Sequence, residues 1–203
     1  MEVQRWMGRA DRLPLELAAV AGPVLLTAAW LVLGAVSPGY TVWGTHVAPY
    51  SPVSQPISGL GLGPTGPYMN AAFIVSGLLM VVGAYGVFER FPEWRWRYVC
   101  APLLALPGLV SVLDGLFTFQ TFFMHFVGFL VRRLPAWRSV GTGLIIAGPL
   151  TALLTVLYFA TFTPTVQGIQ TGIAGLTERL LILEIQAWYV ALGWIAFRKG
   201  DIR

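Results

Sequence analysis

Apolar residues fill six stretches of the chain almost without interruption, at about 14–36, 67–88, 98–114, 117–132, 140–162 and 176–197. A helix of about 20 residues crosses a hydrocarbon core of roughly 30 Å, so runs of this length read as membrane spans. The third and fourth are short and meet at Asp114 and Gly115. The pattern predicts an all-α fold, a polytopic transmembrane bundle of six helices forming one domain over residues 1–203. The first run, Leu13 to Val36, follows a basic segment but is too long for a signal core, and reads as an uncleaved first helix.

Between the first two runs lies SPVSQPISGLGLGPTG, part of a loop from Ser37 to Gly66 that contains no Lys, Arg, Asp or Glu. A loop without charge can touch lipid. Its prolines set φ, its serines cap short turns, and Gly59, Gly61 and Gly63 admit positive φ. A short interfacial or re-entrant helix near Val53 to Leu60 is expected, lying over the mouth of the bundle. The alternative is a glycine-rich connector packed on the helix ends.

Composition strengthens the membrane reading. Hydrophobic residues make up 56% of the 203 and charged ones 11%, against roughly 25% charged in soluble domains. Mean hydropathy is +0.71. The net charge of +4 marks orientation and not a nucleic-acid partner, because the basic residues do not gather on one binding face. Arg5, Arg9 and Arg12 precede the first run, and Arg90, Arg95 and Arg97 follow the second. Arg132, Arg133 and Arg138 separate the fourth and fifth, while Arg198, Lys199 and Arg203 end the chain. The positive-inside rule puts all twelve in the cytoplasm, together with both termini, in a plasma or inner membrane. Tryptophans near these loops, Trp137 among them, read as interfacial anchors.

The segment SPVSQPISGLGLGPTGPYMNAAFIVSGLL, with DGLFTFQTFFMH and GLTERLLILEIQAW further on, resembles the bacterial and archaeal membrane family catalogued as domain of unknown function 998. The resemblance implies a six-helix fold and a membrane location. It implies no activity and no catalytic residue.

Ionisable groups inside a span cost about 2.5 kcal/mol or more and turn toward the bundle interior. Five map to the outer half: Asp114, His125, Glu178, Arg179 and Glu184. At 100° per residue, Thr177 and Glu184 share one face of the last helix and Arg179 and Gln186 another. On one reading these groups are structural: Arg179 pairs with Asp114 or Glu178, and His125 bonds Glu184. On the other they floor an outward pocket roofed by the segment carrying Ser54 and Ser58. There Arg179 would hold an anionic head group, and His125 with Glu184 would exchange a proton.

Three classes of function follow. The first is a non-catalytic protein that binds a lipid or amphiphile, or serves as an accessory subunit of a membrane complex; its partners are membrane lipids, another membrane protein or a second copy. The second is a membrane enzyme on a lipid-like substrate with His125 as acid and base. The third is a small transporter, against which the apolar inner halves argue, Glu16 excepted. No motif implies a cofactor. A metal site is not expected from two histidines, His46 and His125, without ligand spacing. One cysteine, Cys100, forms no internal disulfide.

Overall fold

The computed structural model describes residues 14–42, 44–91, 95–113, 120–163 and 169–200. Asp114 lies outside the described residues, and so does the side chain of His125. Among the described residues six α-helices carry the fold: α1 (Ala18–Val36), α2 (Gly66–Glu89), α3 (Arg97–Leu113), α4 (Gln120–Val131), α5 (Arg138–Thr161) and α6 (Ala174–Gly200). The long apolar runs form them because the backbone can satisfy its own hydrogen bonds within each segment, as lipid requires. Four helical stretches are long and apolar enough to cross a membrane: Leu15–Val36, Gly66–Glu89, Pro135–Thr161 and Ala174–Lys199. At 17 and 12 residues, α3 and α4 reach only about 25 and 18 Å at 1.5 Å per residue.

The helices pack in a ring, α1 on α2, α2 on α3, α4 on α5, α5 on α6 and α6 back on α1, with α2 and α6 also touching. Small residues set the spacing. A Cβ at Gly83 of α2 would overlap the Ala19 backbone of α1, so these two helices come nearly main chain to main chain. One core of Ala19, Met80, Leu104, Leu144, Ile185 and Tyr189, among others, fills the middle. Pro102 and Pro107 both lie inside α3, where each removes an N–H and bends the helix. The Tyr189 hydroxyl of α6 donates to the Leu104 carbonyl beside that bend.

At one end, Arg90 and the buried Glu16 form an ion pair at 2.7 Å. Trp137 stacks on Phe91 with ring centroids 4.0 Å apart, and Lys199 Nζ lies 4.1 Å from the centre of the Trp137 indole while donating to the Ala136 carbonyl. Trp137 is only 2% exposed, so it is a core side chain and not the interfacial anchor its position beside arginines suggests.

The opposite end carries a folded cap in place of a simple connector. A hairpin pairs β1 (Tyr40–Val42) with β2 (Thr45–Val47), Tyr40 opposite Val47, around Gly44 at φ +76°. The expected short helix forms as a tight 3-10 turn at Ile57–Gly61. Its apolar side faces inward: Ile57 and Leu60 are buried against Leu26, Trp30, Met69, Phe73 and Ile182.

Candidate functional site

The polar groups of α6 divide between two neighbours. Arg179 and Gln186 face α1 and the cap, while Thr177 and Glu184 face α5. Seven residues are nearly two turns, so each pair stacks along one face, and the faces stand about 140° apart.

Arg179 is the centre of the capped end. Only 5% of it is exposed. Its Nη1 donates to the carbonyls of Pro52 at 2.6 Å, Gln55 at 3.0 Å and Gly175 at 2.8 Å, and its Nη2 donates to the Tyr50 hydroxyl. The guanidinium carbon lies 5.3 Å from the Trp30 ring centre and 5.8 Å from that of Tyr50, within cation–π range. A planar fork of donors suits this fan of acceptors, where a lysine would offer a single point charge. Gly175, one turn earlier, makes the approach possible: a Cβ there would stand 2.7 Å from the Pro52 carbonyl oxygen.

Glu178 serves the same cap from the next position. Its Oε2 accepts from the Ile57 N–H at 2.5 Å and so caps the 3-10 turn. The Tyr50 hydroxyl donates to the Pro56 carbonyl at 3.2 Å. Burial pushes the Tyr50 phenol up to about 12, against the pull of the Arg179 charge, and nearby Glu178 pushes it further. Tyr40 is raised by burial and by Glu178. Both phenols therefore stay protonated and keep donating. Tyr40 reaches across to Gln170 Oε1 at 3.3 Å, and Gln170 Nε2 donates to the Thr163 carbonyl at 3.2 Å, which ties the two loops of this end together.

Of the residues the sequence singled out, Ser54, Glu178 and Arg179 come together here, Ser54 buried and Ser58 partly exposed within the 3-10 turn. Glu184 stands apart, ten residues or about 15 Å along α6 from Ala174. It is partly exposed. Its Oε2 accepts from Thr151 Oγ1 of α5 at 2.8 Å, and its Oε1 from Trp188 Nε1 one turn on at 2.9 Å. Thr151 and Trp188 are partners of Glu184 that sequence reasoning passed over, although Trp188 at i+4 from a carboxylate was a legible signal. His46 is exposed on the hairpin, 3.3 Å from Thr41 Oγ1. Among the described residues, no three His, Cys, Asp or Glu side chains gather as a metal site.

A cap locked by main-chain carbonyls around one guanidinium is a fastening; its donors point inward and hold the loop. The partly exposed carboxylate of Glu184 has acceptor capacity left to offer. The family model described as protein of unknown function (DUF998) matches residues 20–195. The chain belongs to that family. In this DUF998 protein the matched region takes in α2 to α5, most of α1 and α6, and the stretch between α1 and α2 that forms the cap. No curated protein and no solved structure matches it.

Proposed function

We propose that this DUF998 protein is a non-catalytic membrane protein that binds a lipid or another amphiphile. On this reading it crosses a plasma or inner membrane six times, with both termini in the cytoplasm and the cap on the outer side. The basic residues Arg90, Arg132, Arg133, Arg138, Arg198 and Lys199 support that orientation, since all lie at or just beyond helix ends opposite the cap.

Glu184 carries the proposal. A carboxyl group in the middle of an apolar span is expensive and marks a site by default. Here it is partly exposed and held by one donor on each oxygen, so lone pairs remain for a third. Around it the surface is apolar: Leu180 and Leu183 of α6 and Leu150 and Leu153 of α5 are all exposed. That combination fits an amphiphile with a hydrogen-bond donor, such as a hydroxyl or amide, at the head of an apolar body.

The test is native mass spectrometry of mildly extracted wild type, Glu184→Gln and Thr151→Val. A specific lipid or small amphiphile retained by wild type and lost from Glu184→Gln, at unchanged melting temperature, is the expected result. A second membrane protein released by the same change would make Glu184 the contact of an accessory subunit instead. A chain carrying neither would end the proposal.

A further inference from the structure

The other face of α6 holds a second polar group in the bundle interior, unrelated to Glu184. Gln186 is 4% exposed, and its amide oxygen accepts from Thr27 Oγ1 of α1 at 2.6 Å. That contact fixes the plane of the amide and directs its nitrogen away from α1, where it meets no protein acceptor. Turning the amide over would exchange the roles without removing the orphan, since a hydroxyl both donates and accepts. One end of the amide always faces inward alone.

Gln186 lines a pocket of about 30 Å³ at the meeting of α1, α2, α3 and α6, open on one side and walled also by Leu26, Phe73, Met80, Pro107, Ser111, Ile182 and Ile185. Two further polar groups belong to the same place. Ser111 Oγ donates to the Phe73 carbonyl at 3.4 Å, a long bond that leaves the hydroxyl's lone pairs free. Pro107, without an N–H, removes the helical donor that the Leu103 carbonyl of α3 would otherwise have. The pocket is therefore apolar in most of its wall and is lined by an amide and a hydroxyl, with the Leu103 carbonyl, freed by Pro107, one turn back along α3.

We infer that this cavity is a water-binding site that hydrates the bend of α3 at Pro107 and joins it to Gln186 of α6. Size and chemistry agree on the occupant. A buried water needs at least about 10–15 Å³ and two to four polar partners. An acyl chain does not fit the space and would leave the amide unmet; a lipid carbonyl accepts but cannot donate to Leu103 or to a turned Gln186. Water inserted where proline interrupts a helical ladder is a recognised means of satisfying freed backbone groups inside membranes. The site stands independently of the lipid-binding proposal, because it lies on the opposite face of α6 and uses none of the same groups.

The experiment is solid-state NMR of the ¹⁵N-labelled full chain in lipid bilayers, following magnetisation transfer from water protons to side-chain amides. The Gln186 signal is assigned by its loss in Gln186→Met. Transfer to Gln186 Nε2 at least tenfold faster than to the backbone amides of Tyr189 and Leu192, equally buried on the same helix and outside the pocket, is expected. Ser111→Val, which adds a methyl group to the cavity and removes its hydroxyl, is expected to abolish the fast transfer. Pro107→Ala, which returns the N–H to Leu103, is expected to slow it at least threefold. Equal rates at Gln186 and its neighbours would overturn the inference, as would fast transfer that survives Ser111→Val. Cross-peaks from lipid acyl protons to the Gln186 amide would overturn it in favour of a lipid occupant.

Discussion

Replacing Arg179 by methionine removes the guanidinium and keeps a stem of similar length against Trp30 and Tyr50. The Gly175 carbonyl keeps its place in the helical ladder of α6, so the main-chain groups that lose a donor are those of Pro52 and Gln55. An unmet buried acceptor costs about 1–3 kcal/mol. Gln55 is 3% exposed and falls in the upper part of that range, whereas Pro52 is exposed and rehydrates. The lost cation–π contacts with Trp30 and Tyr50 add about 1 kcal/mol. The total is about 3 kcal/mol, which for a chain of this size lowers the melting temperature by about 6–12 °C. Arg179→Lys keeps the charge without the fork and is expected to lose roughly half as much. Thermal unfolding in mild detergent measures the shift, and limited proteolysis between residues 37 and 65 locates it. A cap that stays protease-resistant in Arg179→Met, with a melting temperature within about 2 °C of wild type, would refute the claim that the arginine fastens it.

Three other outcomes follow from the same geometry. The Tyr50 phenol ionises near 12 when folded and near 10 when unfolded, so the unfolded chain sheds its proton first. Stability is therefore intact below about pH 10 and falls by up to about 3 kcal/mol as pH rises toward 12; melting curves across that window should flatten in Tyr50→Phe. Gly175→Ala puts a methyl group against the Gln55 and Pro52 backbone and is expected to cost about 1–3 kcal/mol, with the same new proteolytic cleavage in the cap as Arg179→Met. Glu16→Gln loosens the 2.7 Å pair with Arg90, whose side chain is 37% exposed; a double-mutant cycle with Arg90→Met is expected to give a coupling of about 1 kcal/mol, and zero coupling would show the pair to be incidental.

Hydrophobic runs predict an all-helical chain, and the helices of the structure lie where those runs lie: the run at 67–88 becomes Gly66–Glu89, and that at 176–197 becomes Ala174–Gly200. The angular argument for α6 was legible too, since a regular helix must send residues 179 and 184 to different neighbours. The hairpin was not. Strands of three residues give no readable alternation, and β1 and β2 are each that short. Nor were the acceptors around Arg179. Attention goes to Asp114 and Glu178, because carboxylates can be seen in a sequence, whereas carbonyls belong to every residue and acquire a partner only through the fold.

Those carbonyls explain the composition of the segment from Ala48 to Gly66. Prolines at 49, 52 and 56 carry acceptors and no backbone donors, so the stretch has more carbonyls than its own N–H groups can meet. Each of the three is used: Pro49 accepts from Gln55 Nε2 at 3.0 Å, Pro52 from Arg179 at 2.6 Å, and Pro56 from Tyr50 at 3.2 Å. The surplus of acceptors and the buried cation solve each other's problem. An arginine near the start of an apolar span would be costly alone, and a proline-rich loop folded over a bundle would leave carbonyls unmet. Together they need no counter-charge from the loop. A carboxylate placed in it would draw the guanidinium toward one residue and release the others, which gives a physical reason for thirty successive positions from Ser37 to Gly66 without Asp or Glu.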